Sequence, residues 1–169
     1  ARKGRIEACG EGRALAFADD PGWSDALLPL FHSPDAPAPA AVLDGVVGVL
    51  GRWRRNWGER PVAVVPMPSA THPHMLHSVA AHVAQIGRLP LIDALRLTGP
   101  WPDADLASAA KVAALDGVLG LQPGVGLPDG PLLLVADRYR SGWAVTVAAA
   151  LLREAGGGAV LPLVLHQMP

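Results

Sequence analysis

Apolar residues along this chain fall into two kinds of run, and their alternation predicts the fold. Val62–Val65, Leu132–Val135 and Val160–His166 are short, dense and rich in valine and leucine, as in strands covered on both faces. Leu91–Leu97 is a looser run predicted as a further strand, and Val118–Leu121 a short one. Between them, Pro73–Ile86 and Trp143–Glu154 carry apolar residues at helical spacing. Upstream, Trp23–His32 reads as a short apolar helix and Ser33–Pro39 as a proline-rich loop. A helix over roughly Ala41–Trp57 follows, with Val42, Val46, Val49, Leu50 and Trp53 on one face. Residues 1–22 read as a linker or a short strand-like lead-in, with turn signals at Gly10, Gly12 and Asp20-Pro21-Gly22. Gln122–Pro131 is a glycine- and proline-rich loop, Lys111–Leu115 begins a helix, and Gly156–Gly158 stops one. Strands alternating with helices predict an α/β fold with a mostly parallel sheet flanked by helices. Residues 61–169 form its core, and residues 1–60 a linker and helical extension.

The stretch 131–146 carries the candidate chemistry. An apolar strand runs to Asp137, placed where the strand is expected to end, and Arg138, Arg140, Ser141, Gly142 and Trp143 follow. Open α/β sheets bind ligands at the carboxyl ends of their strands. A turn opening a helix at Trp143 would offer backbone N–H groups to an anion. These six residues, Asp137 to Trp143, are the candidate ligand site.

This stretch resembles the phosphoribosyl-pyrophosphate-binding motif of type I phosphoribosyltransferases: an apolar strand, two adjacent acids, a few variable residues, then Thr-Gly-x-Thr. The wider pattern of residues 61–166 is similar to the phosphoribosyltransferase-like domain at the C-terminus of some bacterial RecQ-like DNA helicases. Arg60–Ser69, Ile86–Ile92, Ala150–Gly156 and Val160–Val164 carry that similarity, and Lys3–Ile6, Gly12–Leu15 and Gly22-Trp23 resemble the segment joining helicase to appendage. The resemblance implies an ATP-driven motor in the same polypeptide, a cytoplasmic setting and a role in DNA repair or recombination.

The motif departs from the active pattern in ways that bear on activity. In active family members the paired acids bind the ribose hydroxyls and the Thr-Gly-x-Thr loop holds the 5′-phosphate. Here the first acid is Ala136, and the last hydroxyl of the loop is Ala144. The loop after the first core strand, Pro66-Met67-Pro68-Ser69-Ala70-Thr71-His72, has two prolines where N–H donors would face pyrophosphate. The expected hood, residues 99–111, holds Asp103, Asp105 and a lone Lys111, a poor partner for a departing pyrophosphate. No catalytic residue is assigned. The expectation is an inactive accessory module acting as scaffold, partner surface or auxiliary DNA contact. A phosphoribosyl-pyrophosphate or nucleotide sensor, and an active transferase, stay open as alternatives.

Composition narrows these classes only in part. The chain has 169 residues, half of them apolar, which suits one packed core. Its single cysteine, Cys9, excludes an internal disulfide and a cysteine-based zinc site. No apolar run is long enough to span a membrane. The opening Ala-Arg-Lys-Gly-Arg, without an initiating Met, reads as an internal cut from a longer chain. Net charge is −1, so any nucleic-acid contact must be local. Arg52, Arg54 and Arg55 flank Trp53 and Trp57, and two readings stand: an amphipathic helix with a solvated basic face, or a DNA contact through Arg52, Arg54, Arg55 and Trp57. His72, His74, His77 and His82 lack the spacing of a helical metal pair and are expected to be exposed or to face a partner. No cofactor or metal is expected, save Mg²⁺ carried by bound phosphoribosyl pyrophosphate.

Overall fold

The computed structural model describes residues 13–17, 21–98, 118–139 and 143–167. In chain order the elements are β1 (Arg13–Phe17), α1 (Pro21–His32), α2 (Ala40–Trp53) with a 3-10 turn (Arg54–Asn56), β2 (Ala63–Pro66) and α3 (Pro73–Gly87). Then come β3 (Leu95–Leu97), β4 (Leu119–Leu121), β5 (Leu132–Tyr139), α4 (Trp143–Glu154) and β6 (Val160–Gln167). The main sheet has the order β1-β6-β5-β2, and every pairing in it is parallel. The lead-in thus supplies an edge strand, with Arg13 opposite Leu163 and Ala14 opposite Val164.

Burial explains why the middle of the sheet was legible. Leu132 to Ala136 of β5 are all buried, as are Ala63 to Val65 of β2 and Leu163 to Leu165 of β6. A parallel sheet with both faces apolar must be covered by helices. From α2 come Val42, Val46, Val49 and Trp53; from α3, Met75, Leu76, Val79 and Val83; from α4, Val145, Ala148 and Leu152. Leu27 and Phe31 of α1 belong to the same apolar cluster. No helix among the described residues is long and apolar enough to cross a membrane.

Two elements differ from expectation. The strand predicted over Leu91–Leu97 divides. Leu91 makes a lone parallel bridge to Val64, and Leu95–Leu97 pairs antiparallel with Leu119–Leu121 in a separate two-stranded ribbon. Exposed Asp93 interrupts the run, and exposed Arg96 lies between buried Leu95 and half-buried Leu97. That alternation suits a ribbon covered on one face, not a strand covered on two. The helix expected to reach Trp57 ends its α-helical part at Trp53 and tightens into the 3-10 turn, where the Trp57 N–H donates to the Arg54 carbonyl at 3.3 Å. The helix start at Lys111 lies outside the described residues.

The turn from α4 into β6 rests on a close backbone approach. The Gly158 N–H donates to the Gly130 carbonyl at 2.9 Å, and a Cβ on Gly158 would stand 2.7 Å from that oxygen. Gly158→Ala should therefore destabilise the fold by about 1–3 kcal/mol, the usual range for overpacking. Denaturant unfolding checks this, and an alanine variant as stable as the parent would contradict the contact. α3 ends on Arg88, which takes left-handed angles (φ 53°) while its N–H caps the Ala84 and Gln85 carbonyls. Arg88→Gly should stabilise by up to about 1 kcal/mol in the same experiment, because glycine adopts that conformation without Cβ strain.

Candidate functional site

The crevice at the carboxyl end of the sheet follows from strand order. After β2 the chain moves outward to Leu91 on one side, while β5 and β6 lie on the other. The direction of winding thus changes between β2 and β5, which is where open α/β sheets place their ligands. β2 stops at Pro66, opposite Val135, whereas β5 continues through Asp137 to Tyr139 beside β6. Asp137 was expected at the strand end; it lies two residues inside it, where β5 has lost its β2 neighbour.

The loop after β2 closes over this exposed flank. The Met67 N–H donates to the Val135 carbonyl at 2.7 Å, continuing the ladder by one bond. The Ser69 hydroxyl then donates to Asp137 Oδ2 at 2.7 Å and accepts the His72 N–H at 3.0 Å. A charged acceptor makes the first of these the stronger bond. Serine, carboxylate and loop backbone form one unit, with Asp137 half-buried.

His72 itself is buried, at 5% exposure, against the expectation that it faces solvent or a partner. Its Nε2 lies 2.9 Å from the Ser33 carbonyl, which can only accept, so Nε2 carries a hydrogen. Its Nδ1 lies 2.9 Å from the Thr71 hydroxyl, and the Phe31 ring meets it edge-on at 5.8 Å. Phe31 also stacks on buried His166 at 6.4 Å. His74 and His77 are exposed as expected. Among the described residues, no group of three or more His, Cys, Asp or Glu could hold a metal.

α3 begins at Pro73, and its N-cap residue, His72, makes no side-chain cap bond. The cap comes from far along the chain. Asp35 Oδ2 accepts the His74 N–H at 2.8 Å, and Oδ1 accepts the Met75 N–H at 3.0 Å. The Ser78 hydroxyl accepts the Ala38 N–H at 2.8 Å. The proline-rich loop after α1 is thereby fastened along the first turns of α3. Desolvation acts to raise the Asp35 carboxyl, but the two N–H bonds and the nearby His74 and His72 outweigh it and hold it below its ordinary 3.8. The carboxylate also occupies the positive end of α3, where an anionic ligand would otherwise be favoured.

Of the ligand residues expected from sequence, Asp137 is in the crevice. Arg138 lies on β5 opposite His166, and Trp143 opens α4, their side chains lying outside what is described. Arg140, Ser141, Gly142 and the hood at 99–111 lie outside the described residues. Ser69, His72 and Asp35 were not assigned to the site from sequence. A serine four residues before a proline-started helix hints at Ser69, but the other two act through contacts some forty positions away in sequence. At the other end of the chain segment, Arg52, Arg54 and Arg55 are exposed and Trp53 is buried. Trp57 packs on Trp53 at 5.6 Å with its rings inclined at 64°, and its Nε1 is shielded. Arg13 lies over the Trp53 ring at 5.5 Å.

No family model matches the sequence, and no curated protein matches it. Among solved structures, the adenine phosphoribosyltransferase of Leishmania tarentolae is similar over 94% of this chain and 94% of that one. Its TM-score is 0.53 and its sequence identity 11%. The likeness is one of fold: this chain has a type I phosphoribosyltransferase-like fold.

Ser69→Ala should cost about 1–3 kcal/mol by removing a donor to Asp137 and the acceptor of the His72 N–H, as measured by urea unfolding. Stability equal to the parent would mean the loop is not held through this hydroxyl. Asp35→Ala should lower the melting temperature at neutral pH. Because the folded carboxyl titrates below 3.8, that difference should be full above this value and shrink as pH falls through the folded value. A difference independent of pH would remove the charge from the argument.

Proposed function

We propose that this chain is a non-catalytic phosphoribosyltransferase-like module, the C-terminal accessory part of a RecQ-like DNA helicase. It serves as a scaffold or partner surface for the helicase core, with an auxiliary contact to DNA through exposed Arg52, Arg54 and Arg55. The observation that carries the first half is the crevice itself. Ala136, 2% exposed, stands where the first ribose-binding acid is expected. The acid that is present, Asp137, is engaged by Ser69. A ribose diol would have to displace the serine from a lone carboxylate, and it would lack the second acceptor altogether. Mg²⁺ would enter only with phosphoribosyl pyrophosphate, and one carboxylate makes a poor cage for it.

The helicase context rests on the sequence resemblance, and the DNA contact on the exposed basic turn after α2. A phosphate contact of this kind weakens steeply with salt as counterions are released. The retained Asp137 at the winding reversal supports the second reading, a nucleotide sensor.

Titration with phosphoribosyl pyrophosphate and Mg²⁺, followed by thermal unfolding, separates the two. A ligand at about 100 times its dissociation constant stabilises by about 2.7 kcal/mol, a visible shift. We expect no shift, and no pyrophosphate release with added nucleobases. A saturable shift without turnover would replace the module by the sensor, and turnover would make the chain an enzyme.

A further inference from the structure

A second concavity opens away from the β2–β5 crevice and shares no residue with it. It lies between the C-terminal turns of α2, the 3-10 turn and the C-terminal half of α3, and encloses about 610 Å³. That is the size of pockets that take small organic ligands. Its walls are aliphatic: Val47, Leu50, Val83, Ile86, Leu89 and Leu133. Ile86 is 57% exposed, a large apolar side chain left in water beside the opening.

The polar side chains of the lining are Arg54, Arg55, Arg60 and Trp57. All of them donate hydrogen bonds and none accepts. Arg60 is partly committed, its Nη2 donating to the Gly87 carbonyl at 2.7 Å. Arg54 and Arg55 are exposed, and among the described residues neither has an ion-pair partner. The complement of such a lining is a molecule with an apolar body and an anionic head.

We propose that this groove binds an organic anion whose aliphatic chain or single ring lies on the Leu50–Val83–Ile86 wall. Its carboxylate or phosphate is held at the mouth by Arg54 and Arg55. Nucleic acid fits the same groove less well. Among the described residues Trp57 is the sole aromatic side chain in the lining and is already packed on Trp53, whereas single-strand grooves use aromatic platforms for successive bases. The proposal needs only the groove and no helicase core, but it shares Arg54 and Arg55 with the DNA contact proposed above, so the two ligands would compete for them.

Octanoate, octyl phosphate, octyltrimethylammonium and inorganic phosphate, each titrated against thermal unfolding of the full chain, test it. We expect a saturable rise in melting temperature with at least one octyl anion and none with the octyl cation or with inorganic phosphate alone. Response to one octyl anion only would assign the head as carboxylate or phosphate. Arg54→Glu with Arg55→Glu should weaken the response by about tenfold or more, since two charge-assisted bonds are lost. Gly51→Phe should also remove it by filling the mouth. A Cβ at Gly51 meets nothing within 4 Å, so this variant is expected to fold, and its own melting curve checks that. Equal shifts with anion and cation, or shifts unchanged in both variants, would overturn the proposal. So would a labelled single-stranded oligonucleotide bound through Arg54 and Arg55 with no shift from either octyl anion.

Discussion

Leu132 to Val135 of β5 are buried on a parallel strand with neighbours on either side, so neither face can carry polar chemistry. Most of the fold answers that constraint. Helices must cover both faces, which brings α2, α3 and α4 onto the sheet, and polar groups are confined to where β5 outruns β2. The overhang runs from Ala136 to Tyr139, because β2 ends opposite Val135. Asp137 is thus placed by a difference in strand length. The same difference obliges the loop from Met67 to His72 to satisfy the freed edge of β5, which it does through its backbone and then through Ser69.

The parts of this arrangement written in local sequence were readable. A continuous apolar run marks a doubly covered strand, and the Val42–Val46–Val49–Trp53 spacing marks the inward face of α2. The parallel sheet followed from strand–helix alternation. What could not be read depends on chain segments meeting across long separations. α3 lacks a local cap, and its cap is a carboxylate from a loop that reads only as proline-rich. His72 looks like one of several polar histidines, yet it is buried because the Ser33 carbonyl and the Phe31 ring receive it. The division of Leu91–Leu97 shows in the sequence only as an alternation around Arg96, which the apolar density of the run masks.

The Asp35 clamp also changes what the crevice can do. Helix N-termini beside strand ends are natural anion sites, and α3 starts immediately after the crevice loop. In this chain an internal carboxylate holds the His74 and Met75 N–H groups. An incoming pyrophosphate would meet that negative charge, the prolines at 66 and 68, and a serine already bonded to Asp137. Each feature has a structural purpose of its own: capping, chain direction and loop closure. Together they give the polar groups of this loop internal partners.

What stabilises the sheet is separate from these polar contacts. The stability of the sheet comes from apolar burial on β2, β5 and β6 and from close backbone contacts such as Gly158 on Gly130, none of which involves a ligand. Ala136 packs into that core at a position where an unpaired carboxylate would be costly. A site whose polar groups satisfy one another is more stable without substrate than one preorganised to receive it. Function belongs to sites and not to the fold as such, so faces away from the crevice count as well. On this molecule the end of α2 is one such face, where exposed Arg54 and Arg55 border an apolar wall.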